Sequence, residues 1–315
     1  MRVALISEPV GDHLGHYRRT ASCRGVSEFR ESTDARRLMA EFRPELVVVS
    51  LQPDRMPAAI EIAIRGGAHV VAEKPGCAGM AAFERVARIA DDAGRQVMLA
   101  MATRLDPAAL KARDLIRSGA IGKGYGADMA WVADQTRLRN PEHQKSWKVS
   151  RKLGGGGKLI FHGIHYIDLL QFLTGSRVDR VTAIKANVGG TPGDVEDAAV
   201  VSMILRDGMV ASLNTGYYLD RGYANHIAYW GSDGWFRFDP RSTTAPLVWH
   251  TRTGDEQMPA GSGVDMYGRM LQAAVDFASG AIPPFITTAE SVAALRAVFA
   301  AYRAADTGVT QRVSA

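Results

Sequence analysis

The chain has 315 residues, 46% of them hydrophobic, and a formal net charge of +5, enough apolar material for real cores and a length that suggests two domains. Its basic residues are scattered among acids, with no lysine-arginine block or interleaved aromatic stripe, which argues against nucleic-acid binding. No run approaches the roughly 18 apolar residues of a membrane span. Met1–Ile6 is too short for a signal peptide, and Cys23 and Cys77 form neither a disulfide framework nor a metal-site spacing, so the expected setting is the reducing cytoplasm and no metal is expected.

The first third alternates short apolar runs with helical patterns. Val3–Ile6, Leu46–Val49, Val70–Ala72 and Val97–Ala100 read as strands too apolar to have a wet face. Continuous apolar strands separated by helices imply a parallel sheet covered on both sides. Phe83, Val86, Ala87, Ile89 and Ala90 keep helical period, and Gly94 follows as a stop. Gly66-Gly67 closes the helix before the third of these strands. Asp106-Pro107 supplies an N-cap and a first-turn proline for a helix ending near Ser118-Gly119.

Lys74 stands out in this region. The chain uses 8 lysines against 30 arginines, and this one follows the run His69–Ala72 within Ala72-Glu73-Lys74-Pro75. Proline stops the strand and fixes the backbone beside the amine. A lysine at the carboxyl end of a buried parallel strand faces the crevice where open α/β sheets bind ligands. A desolvated ammonium there is readily pushed toward neutral and can exchange protons. The plainer alternative is a surface lysine that caps a strand.

After Gly119 the runs lengthen and alternate, as in Val181–Ala186. Asp207-Gly208 joins two strand-like segments as a hairpin signal, and Asp233-Gly234 is a second candidate. This half is expected to be a largely antiparallel sheet, with helices near residues 163–174, 266–279 and 288–305. The two domains are set at 1–119 and 120–315. A second constellation runs from Gly154-Gly155-Gly156-Gly157-Lys158 through His162 and Gly163 to His165 and Asp168. Four glycines permit a backbone turn at close quarters. His165 and Asp168 are three apart on a helical pattern, so they are surface neighbours, and an acid beside a histidine can fix its tautomer and raise its basicity. A buried histidine satisfied by a carboxylate gives the same spacing. His162 and His165 are also three apart, a weak metal pattern.

Glu73-Lys74-Pro75, Arg104-Leu105-Asp106-Pro107, Ser118-Gly119-Ala120-Ile121-Gly122 and the glycine run leading to Gly163-x-His165-x-x-Asp168 together resemble the Gfo/Idh/MocA family of sugar and polyol oxidoreductases. Glu196-Asp197 and Gly231-Ser232-Asp233-Gly234-Trp235 extend the resemblance, which runs from about Gly25 to the C-terminus. It implies a shortened Rossmann-like parallel domain followed by an α+β domain with a large open, mostly antiparallel sheet. The exposed face of that sheet is expected to form a homodimer or homotetramer. It also implies NAD or NADP as cofactor and a carbohydrate or sugar acid as substrate. Lys74 and His165 would then be the proton-transfer groups. Glu73, Lys74, Pro75, Ser7 and Leu51 fall on the cofactor side, and Arg104, Trp147, Lys148, Arg151, His162, Asp168 and Tyr217 on the substrate side. Arg104, Lys148 and Arg151 suggest a carboxylated substrate.

The chain departs from that family in ways that bear on the chemistry. The usual Gly-x-Gly-x-x-Gly after the first strand lets backbone approach a pyrophosphate. Here Ser7, Pro9 and Asp12 stand at the three glycine positions, and Glu8 and Asp12 bring negative charge. Only about 19 residues separate Ile6 from Val26. Gly25–Arg30 then aligns best as the family's third strand, leaving the second strand and its ribose-holding acid absent. On the other alignment it is the second strand, with Glu31 as ribose partner. Phe161 occupies a position where family dehydrogenases often carry aspartate, and Met56 one where they often carry histidine. Three functions are therefore weighed: an NAD(P)-dependent dehydrogenase of a sugar, sugar acid or cyclitol; a redox-silent isomerase, lyase or hydrolase using Lys74 and His165 alone; and a non-catalytic sugar-sensing regulator or partner subunit.

Overall fold

The computed structural model describes residues 1–8, 14–190, 192–261 and 265–314. The chain groups into two compact units. One comprises Met1–Leu105, Lys152–Gly155 and Asp265–Val292, the other Asp106–Arg151, Gly156–Val264 and Ala293–Ala315.

The first unit is built on five parallel strands: β1 (Arg2–Ser7), β2 (Glu28–Ser32), β3 (Leu46–Ser50), β4 (His69–Ala72) and β5 (Val97–Leu99), in the order β2-β1-β3-β4-β5. The apolar residues of β1, β3, β4 and β5 are buried on both faces, as the continuous hydrophobic runs require. The intervening helices Ala35–Phe42, Met56–Arg65 and Met80–Asp92 are amphipathic, each with a buried stripe. Helix Met266–Ala278 returns to this unit late in the chain and packs on β3.

The position of β2 corrects one expectation. It pairs directly with β1, Arg2 to Glu28 through Ile6 to Ser32. In the doubly wound order 3-2-1-4-5-6 that is the place of the second strand. The second strand is thus present, with Glu31 near its carboxyl end, and among the described residues no strand lies outside it. Sequence continuity into β3 favoured the wrong alignment because it does not say whether a strand lies directly beside β1 or one place further out on the same flank.

The second unit carries nine strands: β6 (Gly124–Asp134), β7 (Val178–Ala186), β8 (Ala198–Leu205), β9 (Val210–Leu219), β10 (Tyr223–Gly231), β11 (Trp235–Phe238), β12 (Leu247–Thr251), β13 (Gly254–Met258) and β14 (Gln311–Arg312). Their order is β13-β12-β11-β10-β6-β9-β8-β7-β14. All neighbours are antiparallel except β6 and β9. The hairpin at Asp207-Gly208 forms, with Gly208 at φ 89°, and Asp233-Gly234 joins β10 to β11. Alternation is clean on β9: Ala211, Leu213, Thr215 and Tyr217 point inward, while Val210 and Asn214 are exposed. Helix Pro107–Arg117 packs on helix Ile164–Thr174 and on β11 and β12. The expected fold class is borne out.

Candidate active site

The parallel register of the first unit decides which residues share an edge. Ser7 stands opposite Ser50, Ile6 opposite Ser32, Val49 opposite Ala72 and Ala72 opposite Leu99. Glu31 and Ser32, Ser7 and Glu8, Leu51, and Glu73-Lys74-Pro75 therefore lie along one carboxyl edge, the crevice side of an open sheet. The Lys74-Pro75 peptide is cis. Gly76 follows at φ 80°, and a Cβ there would press on Leu99 and Phe83, so the turn after the motif requires glycine.

Each carboxylate on this edge has a partner within the unit. Glu73 is buried and accepts a short hydrogen bond from the Tyr17 hydroxyl. The Lys74 ammonium, 14% exposed, lies 3.9 Å from its other oxygen. Burial, and then the Glu73 charge, hold the Tyr17 phenol well above its usual range. Tyr267 sits edge-on to Tyr17 at 6.0 Å and stacks on His16 at 4.6 Å. Glu31 takes both Nε (2.7 Å) and Nη2 (2.8 Å) of Arg18 and the Ser7 hydroxyl at 3.2 Å. The bond from Arg18 lowers the Glu31 pKa against a smaller opposing effect of burial. Glu8 pairs with Arg55 at 2.6 Å. Beside Glu31 a pocket of about 270 Å³ opens between Arg30, Ser32, Arg37 and Phe42. Pro9–His13, where the glycine fingerprint is replaced, lie outside the described residues.

Arg104, placed by sequence with the substrate, is 1% exposed, and its Nη1 meets Glu290 at 3.1 Å and the Phe285 carbonyl at 3.4 Å. Glu290 also closes a capping box with Thr287 at the start of helix Thr288–Thr307. Cys77 is buried, which pushes its thiol up to about 12, and Cys23 is a free thiol as well.

In the second unit the glycine run is a close-approach turn. A Cβ on Gly157 would collide with the Glu196 carbonyl, and one on Gly156 with the Tyr302 hydroxyl. The Glu196 carboxylate accepts from Gly157 N (3.0 Å), Leu159 N (2.9 Å) and the Tyr302 hydroxyl (2.7 Å). Burial raises its pKa against those bonds. The chain then makes one wide π-helical turn, Leu159–Gly163, before helix Ile164–Thr174, a feature often found at functional sites. His165 sits half-buried against the Trp131 ring, centroids 5.1 Å apart, and His162 meets Trp131 at 5.4 Å and Tyr217 at 6.0 Å. The Lys158 ammonium lies 4.2 Å over the Tyr217 ring with the whole residue 1% exposed. Trp147 packs edge-on to Phe161 at 5.6 Å and carries the Lys148 ammonium over its face.

The rings of His162 and His165 both lie against Trp131, and Tyr217 lies against His162. Asp168 is buried in the same helix. Arg151 lies elsewhere in this unit, paired with Asp306 at 2.7 Å. Sequence reasoning missed Lys158 and Trp131. Lys158 had a signal, as one of only 8 lysines in the chain and placed directly after a run of four glycines; Trp131 had none beyond its place in a long strand. Among the described residues no cluster of His, Cys, Asp and Glu has metal-holding geometry, and no helix is long and apolar enough to cross a membrane.

The architecture is that of a doubly wound parallel unit joined to an open antiparallel sheet unit. Residues 109–237 match the GFO/IDH/MocA C-terminal domain. The 1,5-anhydro-D-fructose reductase of Ensifer adhaerens is 26% identical over 254 residues, covering 78% of this chain and 73% of the reductase. The 2,7-anhydro-N-acetylneuraminate hydratase of Mediterraneibacter gnavus is 28% identical over 190 residues, 58% of this chain and 48% of the hydratase. In fold, a levoglucosan dehydrogenase solved with NADH superposes with a TM-score of 0.87 at 17% identity, covering 100% of this chain and 99% of that one. Over residues 109–237 the chain is thus similar to the C-terminal domain of the Gfo/Idh/MocA family, and over 254 residues to a sugar reductase.

Proposed function

We propose that this protein is an NAD(P)-dependent oxidoreductase acting on a sugar, sugar acid or cyclitol, with Lys74 and His165 as proton-transfer groups. The observation that carries the reading is Lys74 itself, a largely buried ammonium beside Glu73 at the carboxyl edge of the parallel sheet.

The donor set of that edge fits a dinucleotide at both ends. Glu31, at the end of β2, is a carboxylate where the vicinal hydroxyls of an adenosine ribose need an acceptor, and Ser7 adds a hydroxyl beside it. Leu51, Glu73 and Pro75 shape the stretch toward Lys74. When bound, the nicotinamide ring takes or delivers the hydride. Lys74 accepts or returns the proton of the substrate hydroxyl from its place beside Glu73. His165 serves as the second proton-transfer group. Trp131 and the neighbouring rings hold its imidazole in place, and His162, Trp147, Lys148 and Tyr217 are the candidate sugar contacts of that unit, with aromatic faces suited to the apolar side of a sugar ring. Arg104 and Arg151 pair with Glu290 and Asp306.

Calorimetric titration with NAD, NADH, NADP and NADPH is the direct test. At least one is expected to bind in the micromolar range, and silence from all four at millimolar concentration would defeat the redox reading. In the same protein, Lys74→Met should cut turnover by about 100-fold or more while a dinucleotide still binds.

A second reading is a redox-silent enzyme that adds or removes water next to a carbonyl, with the same lysine and histidine as base and acid. It is favoured by the negative charge of Glu8 on the edge where phosphates would lie and by the relative named as a hydratase. Silence in the titration combined with turnover of an unsaturated sugar acid would select it. The outward face of β7 to β11 exposes Ile184, Val200, Val210, Trp230 and Trp235, and we assign that face to self-association as a dimer or tetramer.

A further inference from the structure

The chain gives up the backbone route to a pyrophosphate. Ser7 and proline at position 9 stand where two glycines would be, and a proline offers no N–H donor in any conformation. If a diphosphate lies on this edge, its donors must come from side chains. Two guanidiniums bracket the end of β1. Arg18 reaches it from one side, bound edge-on to Glu31, which in turn holds the Ser7 hydroxyl. Arg55 reaches it from the other, bound to Glu8, the residue after the strand. Both arginines are about half exposed, 52% and 57% of their side chains, whereas Glu31 and Glu8 are 29% and 30% exposed. The carboxylates therefore lie beneath and the cations face outward.

Resting on the dinucleotide reading above, we propose that Arg18 and Arg55 form a side-chain clamp for the diphosphate bridge, in place of the missing glycine loop. Each guanidinium has five N–H donors in a planar fork. The bonds to Glu31 use Nε and Nη2 of Arg18, and the bond to Glu8 uses Nη1 of Arg55, so each fork retains donors for a phosphate oxygen. The two carboxylates preorganise the arginines, which lowers the entropy lost when a ligand arrives. The same carboxylates offset part of the positive charge, so the diphosphate contribution depends on both arginines being present. An oxidised or reduced nicotinamide is not needed for this contact; any adenosine diphosphate ester satisfies it.

The test compares ADP-ribose with adenosine by calorimetry, because the two share the base and a ribose and differ in the diphosphate and the terminal ribose it carries. In the parent protein ADP-ribose is expected to bind at least about 100-fold more tightly than adenosine, two charge-assisted contacts at about tenfold each. Arg18→Gln and Arg55→Gln should each reduce that ratio by about tenfold, and the double variant should bring it near unity, with adenosine affinity unchanged. The slope of log affinity against log salt should flatten in each variant, because fewer ionic contacts are being screened. Glu31→Gln removes the partner of Arg18 while keeping the guanidinium, and the ratio is expected to hold or rise. A fall there equal to that of Arg18→Gln would mean that the ion pair, and not the arginine, matters, and would overturn the clamp. So would single arginine variants whose ratio stays within about twofold of the parent. If the parent binds neither ADP-ribose nor any dinucleotide, the nicotinamide reading itself fails, a result distinct from a parent that binds and variants that do not differ.

Discussion

Lys74 was legible because two local rules meet on it: a buried strand must end before Pro75, and a lysine there can only lie at the carboxyl edge. Its electrostatic setting was not legible, since Tyr17 lies 56 residues from Glu73 in the chain and reaches it through folding alone. Arg104 shows the reverse case. A family position suggested a substrate contact, yet its guanidinium is buried against Glu290. Burial pushes the Glu290 carboxyl up, but the Arg104 charge and the bonds from Thr287 outweigh it, so its pKa lies below the ordinary value. A depressed carboxylate stabilises the fold above its unfolded pKa of about 4.3 and loses that contribution as pH falls through the folded value. Glu290→Gln should therefore cost about 2 kcal/mol at pH 7, and the gap in Tm between parent and variant should close below about pH 4. An equal gap at both pH values would show that the stabilisation does not depend on the carboxylate charge.

The glycine run is an element whose need for glycine was clear but whose reason was not. Flexibility suggests a loop; the fold shows a tight packing joint, in which Gly156 and Gly157 lie against Tyr302 and the Glu196 backbone. Glu196-Asp197 likewise read as a motif without a task. Glu196 satisfies the N–H groups of that joint, and Asp197 accepts from Val188 and Gly189 N at 2.8 and 2.7 Å. Gly157→Ala must displace backbone rather than a flexible side chain, so it should destabilise by about 3 kcal/mol or more, read as a drop in the denaturant midpoint at constant m-value. Gly94→Ala meets no neighbour but sits at φ 62°, and only the modest cost of a left-handed alanine, about 1 kcal/mol, is expected. Comparable losses at both sites would show that close contact is not what singles out Gly157.

Across the whole molecule, the nine-stranded sheet leaves one face with little cover. Alternation along β7 to β11 turns Ile184, Val200, Val210, Trp230 and Trp235 outward. Contiguous exposed apolar surface of this kind marks an association face, and a stable pairing would bury about 1,600 Å². Light scattering should report a dimer or tetramer, and Ile184→Lys combined with Trp230→Glu should give monomers with an unchanged far-ultraviolet spectrum. A parent that remains monomeric at high concentration would leave the face without a partner copy.

Read alone, the chain settles whatever depends on periodicity and punctuation: parallel strands because their apolar runs have no polar side, helices where period and caps agree, hairpins at Asp207-Gly208 and Asp233-Gly234, and a lysine at a strand end. It could not settle whether the Glu28–Ser32 strand lies directly beside β1 or one place further out, because that depends on strand pairing across the sheet and not on local preference. Nor could it pair Tyr17 with Glu73, Arg104 with Glu290, or Lys158 with the Tyr217 ring. Those partners lie tens to hundreds of residues apart, and only the packing of distant elements into one interior brings such charges and rings within a few ångströms.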